Sequence, residues 1–89
     1  MLKPSYSKQF ERDLKRMLKQ GKKREKLKVV MRKLVNEDRL DPRHRNHKLV
    51  GKYKDRCECH IEPDWLLIYK ATGQEIVFER TGTHSDLFE

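Results

Sequence analysis

His47, His60 within H-I-E-P-D-W, and Arg80 and His84 within E-R-T-G-T-H put three imidazoles and a guanidinium in the second half of a small basic chain. Histidine titrates near pH ~6.5, so it can accept or donate a proton at neutral pH. Arginine stays charged and grips phosphate in a planar fork. A proton acceptor, a proton donor and a fixed cation around one phosphate are what metal-free cleavage of RNA requires. RNA brings its own nucleophile, the 2′-hydroxyl, which DNA lacks. A base removes its proton, the oxygen attacks phosphorus, a five-coordinate phosphorane forms, and the 5′-oxygen leaves with a proton from the acid. In this scheme Arg80 holds the phosphorane and His84 is the general acid. His60 or His47 takes the 2′-proton, and Asp64 either is the base or orients a histidine. Trp65 and Phe88 offer flat faces for base stacking. Lys48, Lys52, Lys54 and Arg56 form a run that could track the RNA backbone.

The rest of the chain must hold these groups. Eighty-nine residues make one domain, spanning residues 1–89. Hydrophobic residues are 35% and charged residues 40%, but the apolar ones fall in periodic clusters, which predicts a folded chain. The net charge of +8 favours polyanionic partners, in affinity more than in sequence choice. Residues 3–39 carry +9, residues 40–56 carry +4 and residues 57–89 carry −5.

Leu2 to Tyr6 reads as a short strand, with Pro4 confining it to an edge or a start. Ser7 reads as an N-cap. Phe10, Leu14, Met17 and Leu18 then mark one helix face, closed by Gly21. Leu27, Val30, Met31, Leu34 and Val35 mark a second helix, stopped at Asp41-Pro42. The short link predicts an antiparallel helical hairpin. From Arg56 the period changes to that of strands. Cys57, Cys59 and Ile61 alternate with polar residues, Pro63-Asp64 reads as a turn, and Trp65 to Lys70 as a buried strand. Thr72-Gly73-Gln74 reads as a hairpin turn, and Glu75 to Thr81 as the last strand. The expected fold class is α+β, with a short N-terminal strand and a two-helix hairpin packed on one face of a C-terminal antiparallel sheet, the other face being bare. On that phase His60 emerges on the open face. Arg80 shares parity with Ile76 and Phe78, so its direction depends on whether the strand bulges near Gly82.

The quoted segments, together with N-H-K-L-V-G, H-I-E-P-D-W-L-L-I-Y-K and F-E-R-T-G-T-H-S-D-L-F, resemble the YafQ-type toxins of the RelE/ParE superfamily. The resemblance implies a RelE-like fold and the toxin of a type II toxin–antitoxin pair. Such a toxin cuts messenger RNA in the ribosomal A site, is silenced by a cognate antitoxin, and joins it in a hetero-oligomer that binds operator DNA. It also implies functional positions at His47, His60, Asp64, Trp65, Arg80, His84 and Phe88.

Other readings are weaker. A ParE-like gyrase poison would not need the histidines, and a plain nucleic-acid-binding module leaves Arg80, His84 and Phe88 without a task. Cys57-Glu58-Cys59-His60 lacks the spacing of a zinc site, so the cysteines read as core residues, and neither metal nor cofactor is expected. His44 reads as a solvated loop residue. A reduced, cytoplasmic setting fits the paired cysteines, and no apolar run is long enough to span a membrane.

Overall fold

The computed structural model of the protein describes residues 1–88, with the backbone alone at Lys52. In chain order the elements are β1 (Lys3–Tyr6), α1 (Lys8–Lys19), α2 (Arg24–Val35), β2 (His47–Lys48), β3 (Cys57–Glu62), β4 (Trp65–Ala71), β5 (Glu75–Gly82) and α3 (His84–Phe88). Among the described residues no helix is long and apolar enough to cross a membrane.

Both main helices form where the apolar spacing predicts them. Ser7 caps α1, its Oγ accepting the Phe10 amide at 2.9 Å, which satisfies one of the orphan donors of the first turn. Gly21 follows the C-cap at φ +89°, a left-handed conformation that glycine adopts without strain. α1 lies along β5 and α2 against β3. Phe10, Met17, Leu27, Val30 and Leu34 bury against Cys59, Trp65, Leu67, Tyr69, Ile76 and Phe78. One position departs from the pattern: Asp13, between Phe10 and Met17, is buried, while Leu14 and Leu18 are half-exposed.

The strands form one five-stranded sheet in the order β1-β5-β4-β3-β2. The β3–β4–β5 meander is antiparallel, as the tight turns require, but β1 joins β5 in parallel, so the sheet is mixed. β1 and β5 are joined through α1, α2 and the three strands β2, β3 and β4, so no tight turn between them imposes an antiparallel pairing. The far face is not bare. Leu66, Ile68 and Leu87 form a second small core there, with Leu49 and Tyr53 packed against it. Tyr53 donates its hydroxyl to the Leu87 carbonyl at 3.0 Å, tying the 51–53 turn to α3.

Candidate active site on the open sheet face

Cross-strand pairing sets out a row of side chains on that second face. His47 of β2 stands opposite Glu58 of β3, Glu58 opposite Ile68 of β4, and Ile68 opposite Arg80 of β5. In the next row His60 is opposite Leu66, and Leu66 opposite Gly82. Paired residues point to the same side of a sheet, so all four polar groups share the face of Leu66 and Ile68. Arg80 reaches it through a bulge. Phe78 pairs with Tyr69 but Arg80 with Ile68, so β5 gains one residue at Glu79. The extra residue shifts the two-residue alternation and turns Arg80 away from the helix layer.

His84 arrives from α3. Thr83 and Asp86 cap this helix reciprocally, the Thr83 amide donating to Asp86 Oδ2 at 3.0 Å and the Asp86 amide to Thr83 Oγ1 at 3.1 Å. Gly82 permits the approach, since a Cβ there would meet Asp86 Cβ at 3.0 Å. Asp64, in the β3–β4 turn, then clamps His84. Its Oδ1 accepts the His84 amide at 2.9 Å and the ring Nδ1 at 2.6 Å. Those two bonds, the backbone one foremost, hold the Asp64 carboxyl below its usual range. An ionised carboxylate only accepts, so Nδ1 carries a proton and Nε2 is left to exchange one. The His60 and His84 rings lie 5.7 Å apart.

On the other side of His60 stands Glu58, which is buried, at 6% exposure. His47 Nε2 lies 2.9 Å from Glu58 Oε2, and His60 Nε2 lies 4.0 Å from it. His47 Nδ1 faces the Arg45 carbonyl at 2.6 Å. His47 therefore has an oxygen partner at each ring nitrogen. Arg80 is gripped by Asp13 of α1, its Nε donating to Oδ2 at 2.7 Å and its Nη2 to Oδ1 at 3.3 Å. Beside His60 and His84 a cleft of about 560 Å³ is rimmed by Arg43 and Arg45.

Over residues 2–89 the chain matches the family described as the bacterial toxin of the type II toxin–antitoxin system, YafQ. It is 44% identical to the mRNA interferase toxin YafQ of Escherichia coli K12 across 84 residues, 93% of this chain and 91% of that one. The chain belongs to the YafQ toxin family. It is thus a type II toxin with an α+β fold. The toxin in a crystal structure of the E. coli DinJ–YafQ complex superposes with a TM-score of 0.93 at 41% identity, with each chain wholly covered. A metal-bound toxin from Helicobacter pylori superposes with a TM-score of 0.91 at 41% identity, covering 99% of this chain and all of that one.

Set on this YafQ-type scaffold, the residues picked out from sequence divide into groups. His47, His60, Asp64 and His84 are drawn together around Glu58, and Arg80 stands in the same row on the same face. Phe88 is 45% exposed and sits against Tyr53 and His84, with ring centroids 5.5 and 6.4 Å away. Lys48 and Lys54 are exposed. Arg56 is half-buried and paired with Glu79 at 2.8 Å, which raises its pKa further. The Lys52 side chain lies outside the described residues.

Trp65 is a correction. It is fully buried, belongs to the helix-side core, and donates its indole N–H to Thr81 Oγ1 at 2.9 Å, so it has no face to offer a base. His44 is another. It is 8% exposed and bonds the His60 carbonyl through Nδ1 at 2.6 Å, bracing the 42–48 segment against β3.

Glu58 escaped notice because a carboxylate between two cysteines looks like an ordinary outward strand residue. The signal available was its parity with His60, two residues on. Asp13 carried a fainter one, as a charged residue flanked by Phe10 and Met17 at helical spacing. Cys59 lies on the opposite face from Glu58 and His60, among the core residues, and burial pushes its thiol up to about 12. The metal-capable set among the described residues is instead Glu58, His60 and His84, whose ligand atoms lie within 4.8 Å of one another. Two imidazoles and a carboxylate suit a transition metal such as zinc or copper.

Proposed function

We propose that this chain is a ribosome-dependent mRNA interferase, an endoribonuclease that cuts by 2′-hydroxyl attack with histidine acid–base catalysis and needs no metal. The observation that carries the reading is the clamp on His84. Asp64 fixes the ring through Nδ1, and the free Nε2 belongs to a ring 5.7 Å from that of His60. Two imidazoles at that separation can flank one phosphodiester, with proton uptake on one side and delivery on the other.

His84 acts as the general acid. His60 takes the 2′-proton, and the Glu58 carboxylate nearby stabilises the imidazolium that results. His47, held at both nitrogens by Glu58 and the Arg45 carbonyl, acts as a positioning residue and not as the base. Arg80 neutralises the phosphorane. An acid and a base each contribute roughly 10²–10⁴-fold, and the fixed cation adds electrostatic stabilisation. The products are a 2′,3′-cyclic phosphate and a 5′-hydroxyl. Phe88 stacks a base, and Lys48, Lys54 and the rim residues Arg43 and Arg45 guide the strand. The ribosome supplies the remaining alignment of message and toxin.

The E. coli relative is a partner of DinJ in its complex. By the same family logic, a cognate antitoxin silences this chain in the cytoplasm, and the pair binds its operator. The deciding experiment expresses the chain in bacteria and maps message 5′ ends. In-frame cuts within translated codons are expected. Intact messages accompanied by broken DNA would replace this reading with gyrase poisoning, and intact messages with intact DNA would leave only a binding module.

A further inference from the structure

We infer that Asp13 of α1 is a positioning residue for the reaction, acting through Arg80; the inference rests on the nuclease reading above. Asp13 is 1% exposed. Its Oδ1 accepts from Gln9 Nε2 at 3.0 Å, Arg16 Nη2 at 3.3 Å and Arg80 Nη2 at 3.3 Å. Its Oδ2 accepts from Arg80 Nε at 2.7 Å and the Thr81 amide at 3.2 Å.

A buried carboxylate is costly unless its lone pairs are met by donors, and here both oxygens are saturated. The site is made by topology. β1 pairs with β5 only as far as Tyr6 and Phe78. Beyond that point the free edge of β5 runs beside α1, and Asp13 takes the Thr81 amide that a longer β1 would have met. The same carboxylate reaches the residue next to it in the chain, the one the bulge turns outward.

The grip is side-on, through Nε and one Nη2 hydrogen. It uses the flank of the guanidinium, which Tyr53 also engages, so a phosphate would be met by what remains of the end-on edge, the edge that matches two oxygens. It also fixes the plane of the fork before substrate arrives, and raises the affinity of Arg80 for its proton. Without Asp13 the charge and the Tyr53 contact remain, but the carboxylate that fixes the plane of the fork is gone.

The test compares wild type, Asp13→Asn, Arg80→Lys and the double variant in single-turnover cleavage of message on programmed ribosomes, with thermal melts run in parallel. Asp13→Asn is expected to lower the limiting rate about ten- to a hundredfold, with half-saturation changed much less. In the Arg80→Lys background, which has no fork to align, the same substitution should cost almost nothing further. A merely structural Asp13 would cost the same factor in both backgrounds, and that result, or an Asp13→Asn protein at full rate, overturns the inference. A wild type that cuts no message overturns it together with the nuclease reading. Should Asp13→Asn fail to fold, exchange of the Arg80 Nε–H in the wild-type protein decides. Protection is expected, and exchange as fast as that of exposed arginines refutes the side-on grip.

Discussion

At the scale of single residues, the proposed reaction depends on how each imidazole is held more than on its presence. In that proposal His84 is useful because Asp64 occupies its Nδ1, and His47 is left out of the base role because Glu58 and the Arg45 carbonyl lie at its two nitrogens. His84→Ala should lower single-turnover cleavage by roughly 10²–10⁴-fold with only a small drop in melting temperature, because the ring is half-exposed. Glu58→Gln keeps the shape but removes the charge facing two histidines. It should cut the rate at least about tenfold and displace the limb of the pH–rate profile assigned to the base; an unmoved profile would exclude Glu58 from that role. Trp65→Phe tests the opposite kind of residue. Loss of the indole bond to Thr81 should cost about 1–3 kcal/mol in denaturant unfolding, while the folded variant cleaves at the wild-type rate. A selective loss of RNA binding would instead return Trp65 to the substrate path.

Among the elements, the junction of β1, α1 and β5 decides where Arg80 stands. Ser7 caps α1 and also donates its hydroxyl to the Glu79 carbonyl at 2.8 Å, so one side chain starts the helix and pins the bulge. Ser7→Ala should therefore cost about 1–2 kcal/mol and lower the melting temperature, with cleavage reduced as well if the bulge loosens. An unchanged melt would show that neither bond contributes. The cap itself was legible in the sequence, since serine ahead of a helical apolar period has few other readings. The bulge was legible only as an alternative. Strict alternation along Ile76, Phe78 and Arg80 turns the arginine inward, a bulge near Gly82 turns it outward, and only the ladder with β4 decides, placing the added residue at Glu79.

For the whole molecule, acid sensitivity and metal sensitivity follow from groups already described. Asp64, Glu62, Asp86 and Asp41 all have carboxyls held below their ordinary values, Glu62 chiefly by Lys26 and Lys22, Asp86 by the Thr83 amide and Asp41 by the Arg43 amide. A depressed folded-state pKa stabilises the fold above the unfolded value, near ~4, and that contribution is lost as pH falls through the folded value. Chemical-denaturation midpoints should accordingly hold between neutrality and about pH 5 and decline below about pH 4. A midpoint that rises on acidification would contradict the sign. Glu58, His60 and His84 could also chelate a transition metal, but the proposed protons move through the same lone pairs. A chelator should leave the cleavage rate unchanged, and added zinc or copper should suppress it. Loss of activity on chelation would reverse the metal-free reading.

Local patterns carried most of the architecture: two amphipathic helices, three strands between turn residues, and His60 on the sheet face away from the helices. These follow from side-chain periods of 3.6 and 2 along a contiguous chain, and the candidate site residues could be picked out by type alone. The pairing of β1 with β5, the phase shift at Glu79, the burial of Trp65 and His44, and the partnership of Asp13 with Arg80 across the fold required tertiary structure. Each depends on which distant segments share an edge or a face, and a linear pattern holds no record of that contact.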